Sequence, residues 1–343
     1  MKRRSETSLD ICANLCRSVA FQKNQFRRVL LNWYSKSGRA LPWRHTCDPY
    51  AILVSEFMLQ QTQVATTLPY YKEWLGRFPN FGSLARASEA AALHAWQGLG
   101  YYARARNLHA TAKLVMDRHR GRFPEPIGQM RQLPGIGKYT AHAVATFAFD
   151  QSVPIVEANS ARVLSRLFNL RVPIDSTGGQ RGLWSRAATL VPKRHAAIYN
   201  SALLDLGALV CLPHNPKCDT CPVRKFCRAK NPESLPIKRP RPQTKRLIER
   251  HALVVRQDKL LLQAAHHRWR GMWILPPVNG ISRGSRLIYN AIFPFTNHRI
   301  SLEVVRKRPR RIDNVGARWF SKHELASIPI PSPHRRAIEV LLN

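Results

Sequence analysis

Acidic residues are scarce in this chain. Only 20 Asp and Glu stand against 55 Lys and Arg, so the 343 residues carry a formal net charge of +35. The excess is not confined to one tail, because residues 231–343 hold 22 basic and 7 acidic side chains and residues 1–230 hold 33 and 13. This imbalance indicates a polyanionic partner, of which nucleic acid is the commonest. An anionic membrane surface is the weaker alternative, since no long basic amphipathic helix stands out.

Long apolar runs are also missing. No stretch reaches the 18 consecutive apolar residues that are typical of a membrane-spanning helix. The basic N-terminus lacks the apolar core and small-residue cleavage site of a signal peptide. We therefore expect no membrane attachment and a cytoplasmic, nucleoid-associated location in a bacterium. We also expect the protein to be a monomer. A mitochondrial address stays open as an alternative.

Cysteine is infrequent, and its placement argues against a secreted disulfide framework. Three of the seven cysteines are scattered. The other four lie within seventeen residues in the spacing C-x6-C-x2-C-x5-C: Cys211, Cys218, Cys221 and Cys227. Four thiolates in one short loop are typical of a [4Fe–4S] cluster or a tetrahedral zinc ion, and the spacing does not separate the two. The pattern predicts a metal centre and a reducing compartment.

Composition divides the chain into four parts. Residues 1–24 are predicted to form a basic N-terminal arm. Residues 25–228, where apolar residues recur at spacings of three and four, are predicted to be mostly helical. Residues 229–249 are basic and rich in proline, which favours an extended linker. Beyond it, short runs of strand character and a closing helix predict a small α+β domain over 250–343.

One carboxylate lies within an apolar stretch. Residues 51–64 read AILVSEFMLQQTQV, and seven of the nine residues from Ala51 to Leu59 are apolar, with Glu56 among them. A buried carboxyl must find a partner or take up a proton, and one that is kept neutral can donate that proton near neutral pH. The alternative is an amphipathic helix with Glu56 on its exposed face. This window alone favours the alternative, and the rest of the chain favours burial.

The stretch RQLPGIGKYTAHAVA, residues 131–145, predicts a hairpin between two helices. Gly135 and Gly137 allow the backbone to approach a ligand closely. The helix that starts near Lys138 offers its first N–H groups to a phosphate. Alone, the pattern also fits an ordinary helix–helix turn. In so basic a chain it predicts a helix-hairpin-helix that grips one DNA strand without reading its sequence.

Several stretches together resemble the MutY-type adenine DNA glycosylases of the endonuclease III superfamily. They are LPWR (41–44), DPYAILVSEFMLQQTQVAT (48–66), WQGLGYYARARNLH (96–109), LPGIGKYTA (133–141), VEANSARVLSRLF (156–168), DLGALVC (205–211) and the cysteine quartet. The resemblance implies a mainly α, two-lobed helix-hairpin-helix glycosylase, with a six-helix barrel module over about 51–150. It also implies [4Fe–4S] in the cysteine loop. The implied partner is double-stranded DNA that carries adenine opposite 8-oxoguanine or guanine.

The resemblance assigns the chemistry to two carboxyl groups. Glu56 would protonate an adenine that has left the base stack, with its pKa raised by a nonpolar wall. A second carboxylate would stabilise the positive charge that develops on the sugar. The family takes this group from V-D-G-N, whereas residues 156–159 here are VEAN. Glu157 therefore carries an extra methylene, and Ala158 limits any positive-φ backbone.

Other implied site residues surround these two. Asn159 matches the asparagine that orients the catalytic network. Tyr139 stands where a lysine would give Schiff-base lyase chemistry, which implies a monofunctional glycosylase. The remaining matches are DNA contacts: Gln61 and Tyr101 as wedges in the base stack, and Arg44 and Thr62 near the adenine pocket.

The C-terminal part resembles the MutT-like domain that recognises 8-oxoguanine in this family. RGMWILPP (270–277) matches a GLW-x-FP stretch, and Phe295, Thr296 and Asn297 lie where the family has a Phe-Ser-His loop. Thr keeps the hydroxyl, and Asn keeps a hydrogen-bond donor and acceptor. The Nudix hydrolase box is missing, so we expect no phosphohydrolase activity. A purely structural role for this domain is the alternative.

Two other functions stay open on the sequence alone. Thymine glycosylases that act on T·G mispairs also carry Tyr at the position of Tyr139, so a thymine or uracil mismatch glycosylase is one. Because Glu157 replaces the family Asp, a catalytically weakened mismatch-binding protein is the other. The MLQQTQV and GLGYYARARN stretches favour adenine.

Overall fold

The computed structural model describes residues 8–240, 242–279, 286–307 and 316–342, with side chains from residue 22 onward. Residues 1–7 of the predicted basic arm lie outside the described part. The chain forms two compact units, each built from separate stretches. The first unit contains Met1–Leu53, Glu125–Gln132 and Ile136–Pro240, and the second contains Val54–Pro124, Leu133–Gly135 and Arg241–Asn343. No helix within the described ranges is long and apolar enough to cross a membrane.

The prediction of a mostly helical chain up to residue 228 is confirmed. The helices are α1 Ser8–Ser37, α2 Pro49–Leu59, α3 Val64–Arg77, α4 Phe81–Arg86, α5 Glu89–Ala95, α6 Ala103–Arg118, α7 Ile127–Met130, α8 Lys138–Phe149, α9 Ala158–Leu167, α10 Thr177–Leu190 and α11 Ala196–Leu209. Residues 8–24, predicted as an arm, belong to α1. Phe26 and Leu30, one helical turn apart, bury the same face of this helix in the first unit.

The core of the first unit gathers α1, α9, α10 and α11. Leu30, Leu164, Leu183 and Leu203 contribute one buried side chain from each helix. The cysteine loop that follows α11 joins this core through Phe226, whose ring meets that of Phe26 edge-on at 5.6 Å. The helix that begins next to Glu157 and the cysteine loop are therefore held by one apolar cluster.

The helical part of the second unit is organised around two tryptophans. The buried ring of Trp74 on α3 meets that of Trp96, which follows α5, edge-on at 5.3 Å. Leu84 on α4 and Leu93 on α5, the helices between the two tryptophans in the chain, are also fully buried. Short helices with Ser and Asn caps, such as Asn80 before α4, turn the chain tightly here.

The prediction of an α+β C-terminal part is confirmed. Its elements are β1 Lys245–Leu253, β2 Val255–Arg256, β3 Lys259–Ala264, β4 Trp273–Ile274, β5 Leu287–Phe295, β6 His298–Arg306, β7 Ala317–Ser321, α12 Lys322–Ser327 and α13 Ser332–Leu342. One sheet has the order β1-β6-β5, with β1 parallel and β5 antiparallel to β6. The other is centred on β3, which pairs antiparallel with β2, β4 and β7.

The predicted linker shares its last residues with the first strand. Residues 245–249 pair in register with β6, beginning with Lys245 opposite His298. Upstream, the backbone N–H of Ile174 donates to the carbonyl of Ile237 at 2.9 Å, and the N–H of Arg239 donates to the Asp175 carboxylate at 3.0 Å. The proline-rich segment is therefore hydrogen-bonded at Ile237 and Arg239 and again from Lys245 onward, so it is not a free extended linker.

The C-terminal elements contact the helices of their own unit directly. His94 on α5 bonds the carbonyl of Ala326 at 2.8 Å. The side-chain oxygen of Gln97 accepts from the N–H of Ile330 at 3.3 Å and from Arg335 at 3.2 Å. These bonds join α5 and the turn after it to α12 and α13.

Candidate active site and cysteine loop

Glu56 lies in a helix that is buried on all sides. The carboxylate of Asp48 accepts from the N–H groups of Tyr50 and Ala51 at 3.0 and 3.3 Å, and Pro49 follows as the first helical residue. Every residue from Tyr50 to Met58 is buried, and Glu56 is only 5% exposed. The alternative that places Glu56 on an exposed helix face is therefore wrong. The helix is too uniformly apolar to have such a face.

Arg104, which was not among the predicted site residues, closes the end of α2. Its Nη1 donates to the carbonyls of Phe57 and Met58 at 2.8 Å and of Gln60 at 2.5 Å. Its Nη2 donates to the carbonyls of Leu99 and Gly100, each at 3.1 Å, and to the Thr62 hydroxyl at 3.2 Å. Burial lowers the pKa of Arg104 to about 10, so the side chain stays charged at neutral pH.

Two predicted DNA contacts flank this arginine. Gln61 and Tyr101 each follow a residue whose carbonyl accepts from Arg104. Both adopt left-handed backbone conformations, with φ of 58° and 47°. Both are exposed, Tyr101 by 40%. Because non-glycine residues at positive φ are uncommon, these two positions are held there by their surroundings. Arg104 thus binds the loops of Gln61, Thr62 and Tyr101 together.

Glu157 is the N-cap of α9 in the first unit. Its Oε1 accepts from the N–H groups of Asn159 and Ser160 at 2.7 and 2.8 Å, and the Ser160 hydroxyl oxygen accepts from the Glu157 N–H at 2.9 Å. Burial raises the pKa of this carboxyl, although the two N–H groups and Arg162 oppose the shift. Ala158 is the first residue of α9 and needs no positive φ. The replacement of Gly by Ala is therefore accommodated.

Arg162 joins the Glu157 segment to the cysteine loop. Its Nη2 donates to the Asn159 side-chain oxygen at 2.9 Å and to the Gly207 carbonyl at 2.6 Å, and its Nε donates to the Cys211 carbonyl at 2.7 Å. A side chain at Gly207 would place its Cβ 2.7 Å from the Cβ of Asn159. The sequence signal for this role is a pair of arginines four residues apart, Arg162 and Arg166, in the helix that follows Glu157.

The four predicted metal ligands line one cavity of about 330 Å³. Arg166 is 1% exposed and holds the loop around it. Its Nη1 donates to the Cys211 sulfur at 3.3 Å and to the Leu212 carbonyl at 2.6 Å. Lys217 and Arg224 also line the cavity. Convergent thiols with a donor to sulfur and nearby cations fit a thiolate-bound cluster. Within the described ranges, no group of three or more His, Cys, Asp or Glu is arranged to hold a metal ion.

Arg44 is engaged by a buried carboxylate. It forms a bidentate ion pair with Asp205 on α11, and the Nη1–Oδ2 and Nη2–Oδ1 distances are both 2.7 Å. Arg39 adds its backbone N–H and its Nε to the same carboxylate, each at 2.8 Å. Burial alone would raise the pKa of Asp205, but these donors outweigh it and hold the pKa below its ordinary value. Arg44 is thus fixed within the first unit.

The predicted hairpin forms between α7 and α8. Gly135 has φ +75°, and a Cβ there would lie 2.7 Å from the Cβ of Asn107. Gly137 is the N-cap of α8 and supplies no side chain to cap the first N–H groups. Lys138 is exposed, with its Nζ 3.8 Å from the centre of the Trp184 ring. Tyr139 is half-buried in the first turn.

The C-terminal candidates sit in a two-residue hairpin turn. Phe295 ends β5 and pairs with His298 at the start of β6, so Thr296 and Asn297 form the exposed tip. Thr296 has φ +51°, an unfavourable value for a β-branched residue. The carbonyl of Asn297 accepts from the N–H of Lys245 at 2.9 Å, which ties the tip to β1.

Comparison with known proteins shows which class of protein has this fold. A family model described as HhH-GPD superfamily base excision DNA repair protein matches residues 54–176. The solved structure of a thermostable thymine-DNA glycosylase superposes with a TM-score of 0.57 at 30% identity, over 62% of this chain and 97% of that chain. A non-covalent endonuclease III–DNA complex shares the fold, with a TM-score of 0.52 at 19% identity over 62% and 94% of the two chains. The helical part thus has the helix-hairpin-helix glycosylase fold.

Curated relatives narrow the class. The adenine DNA glycosylase of Buchnera aphidicola subsp. Baizongia pistaciae is 42% identical over 205 residues, covering 60% of this chain and 58% of the relative. That of Homo sapiens is 41% identical over 226 residues, covering 63% and 41%. That of Mycolicibacterium smegmatis is 41% identical over 200 residues, covering 58% and 67%. The chain belongs to the adenine DNA glycosylase family. It spans 58% and 41% of the length of the first two relatives.

Proposed function

We propose that this protein is a monofunctional DNA glycosylase that hydrolyses the N-glycosidic bond of adenine opposite 8-oxoguanine or guanine in double-stranded DNA. The observation that carries this proposal is the burial of Glu56, at 5% exposure, five residues before the exposed left-handed Gln61. A carboxyl that is sheltered from water beside a DNA-penetrating loop is suited to protonate a base that has left the stack. Membership of the adenine DNA glycosylase family supports adenine as that base.

The two carboxyl groups have separate tasks. Glu56 protonates the extruded adenine and makes it a better leaving group. The bond breaks with positive charge developing on the sugar, and the ionised Glu157 stabilises that charge. Asn159, held by Arg162, keeps the start of α9 in place. At position 139 a lysine amine would allow Schiff-base lyase chemistry, and Tyr139 has no such amine, so the proposed enzyme is monofunctional.

The DNA grip comes from the exposed loops and the hairpin. Gln61 and Tyr101 wedge into the base stack. Thr62, which follows Gln61 in the same loop, and Arg44 lie near the adenine pocket. The first N–H groups of α8, next to Gly135, Gly137 and Lys138, bind a backbone phosphate. The barrel module over about 51–150 carries these elements except Arg44, which precedes it in the chain. Binding is expected to weaken steeply with salt, because a net charge of +35 implies many neutralised phosphates.

The cysteine loop is proposed to hold a [4Fe–4S] cluster as a structural element. Its support is the one cavity that all four thiols line, with Arg166 donating to the Cys211 sulfur at 3.3 Å. Anaerobically purified protein should contain iron and absorb in the visible range. Zinc without iron would contradict the assignment.

The C-terminal part is proposed to be a MutT-like domain that reads 8-oxoguanine through Phe295, Thr296 and Asn297. Its support is the exposed tip formed by Thr296 and Asn297 and the left-handed Thr296. Strained backbone persists where the surrounding structure enforces it, which is common at ligand-contacting turns.

A panel of duplexes tests the proposed function. Base release from A·8-oxoguanine, A·G, T·G and U·G is measured under single-turnover conditions. We expect release of adenine from the first two pairs only. The second candidate is a thymine or uracil glycosylase, which the 41–42% identity to adenine DNA glycosylases does not favour. Release from T·G alone would establish that candidate, and binding without release from any pair would indicate a mismatch-binding protein.

A further inference from the structure

The hairpin tip at Thr296 and Asn297 is anchored through the residue just before it. Phe295 is held on two sides: Arg268 lies over its ring with the guanidinium carbon 4.7 Å from the centroid, and Trp269 meets it edge-on at 5.7 Å. Arg268 is itself fixed by an ion pair with Glu249 on β1. The position of the tip therefore depends on the segment 268–269, which lies outside the sheet that carries the hairpin.

Trp269 extends this contact to the helical part of the same unit. It is 9% exposed, and its ring meets that of Tyr102 edge-on at 6.1 Å. Its indole N–H is buried without a hydrogen-bond partner among the described residues. Ring packing, and not a hydrogen bond of the indole, thus holds this side chain. Tyr102 directly follows Tyr101, one of the two proposed wedges.

The segment around Trp269 is fitted closely to α5 and α6. The carbonyl of Arg270 accepts from Arg106 Nη1 at 2.9 Å. Gly271 has φ +82°, and a Cβ there would lie 2.8 Å from Leu93 Cδ1. A segment that is bonded and close-packed in this way cannot shift without moving the residues it touches.

We propose that Trp269 is a positioning residue that fixes the hairpin tip relative to the Tyr101 loop. This inference rests on the proposed function, because it gives the tip the task of reading the base opposite the extruded adenine. One row of contacts, Tyr102–Trp269–Phe295, then sets how far the reading residues stand from the wedge. Without the indole, the tip keeps its fold but loses its fixed distance, and the preference for 8-oxoguanine over guanine falls.

The test compares Trp269→Ala with Trp269→Phe and with Trp319→Ala, a half-buried tryptophan on β7 of the same C-terminal part. Duplexes carry a non-hydrolysable adenine analogue opposite 8-oxoguanine or opposite guanine, and the two dissociation constants are measured for each protein. We expect Trp269→Ala to reduce the affinity ratio by about tenfold, or ~1.4 kcal/mol, with guanine affinity nearly unchanged. Trp269→Phe should restore most of the ratio, and Trp319→Ala should leave it intact.

An unchanged ratio in Trp269→Ala, or an equal loss of both affinities, would overturn the inference. So would a parent protein that binds both duplexes equally, because no preference would then need positioning. Failure of the proposed function is recognised separately, since the parent would release no adenine from A·8-oxoguanine in the duplex panel. A parent that releases adenine and prefers 8-oxoguanine, with a variant that keeps the preference, refutes the role of Trp269 alone.

Discussion

Arg104 donates to the carbonyl of Gln60 at 2.5 Å, directly before the left-handed Gln61. The other arm of the same guanidinium donates to the carbonyl of Gly100, directly before the left-handed Tyr101. The planar guanidinium of Arg104 serves five carbonyls from two segments of the chain at once, more than the three donors of a lysine could satisfy. The two proposed wedges therefore share one support.

Replacement of Arg104 should loosen both wedges together. We expect Arg104→Lys to keep the fold but to weaken base extrusion by roughly tenfold or more, because most of the carbonyls lose their donor. Fluorescence of 2-aminopurine at the target position measures extrusion. Arg118→Ala, an exposed change on the same helix, serves as the control. An Arg104→Lys variant that extrudes the base normally would show that the wedges stand without this support.

Removal of the proposed proton donor should separate binding from chemistry. Glu56→Gln keeps the size of the side chain in its buried site and removes the acid. We expect DNA affinity to change little and adenine release to fall by about 10²–10⁴-fold, as is usual for loss of a general acid. Electrophoretic binding assays and single-turnover release measure the two effects. Glu73→Gln, on the exposed face of α3, is the matched control. Retained release in Glu56→Gln would remove Glu56 from its proposed role.

The carboxylate of Glu157 should set an acid limit on the reaction. Burial raises its pKa above the ordinary 4.5. Since only the ionised form stabilises the sugar cation, release should decline as the pH falls through this raised value. Single-turnover rates from pH 4 to 8 show the decline.

Two variants distinguish this effect from loss of the cap. Glu157→Asp should keep both the charge and the N-cap of α9, since Asp is a preferred N-cap residue. We expect it to release adenine at least as fast as the parent. Glu157→Gln should lose about 100-fold or more. Equal rates for the parent and Glu157→Gln would show that the charge is not needed.

The buried carboxylate of Asp205 should make stability dependent on acid pH. Its folded pKa lies below the ordinary value, because Arg44 and Arg39 outweigh the effect of burial. The stabilising contribution is therefore complete above the unfolded pKa of about 4 and is lost as the pH falls through the folded value. Asp205→Asn leaves two arginines without their anion and should cost about 3–5 kcal/mol at pH 7.

Urea unfolding between pH 7 and pH 3 measures this contribution. The difference between the parent and Asp205→Asn should narrow as the pH falls below about 4, because the unfolded parent takes up a proton there before the folded carboxylate does. Asp117→Asn, an exposed change on α6, should show no such trend. A constant difference across the whole range would contradict the role of the ionised carboxylate.

The sequence alone predicted the helical character of residues 25–228 and the α+β character of the C-terminal part. Both predictions follow from local periodicity, which lies within short windows of the chain. Linear motifs such as MLQQTQV and LPGIGKYTA likewise indicated the family, since their residues are adjacent in the chain.

Only the tertiary structure decided the environment of each side chain. Apolar residues surround Glu56 along the sequence, yet its burial depends on packing by distant segments, so the sequence left both interpretations open. Arg104, Arg162 and Trp269 act through carbonyl groups and rings that lie far away in the chain. Backbone carbonyls carry no residue-specific signal, and a ring pair such as Tyr102 and Trp269, separated by 167 positions, leaves no local pattern. Roles of this kind are set by long-range contacts, and they become visible only when the chain is folded.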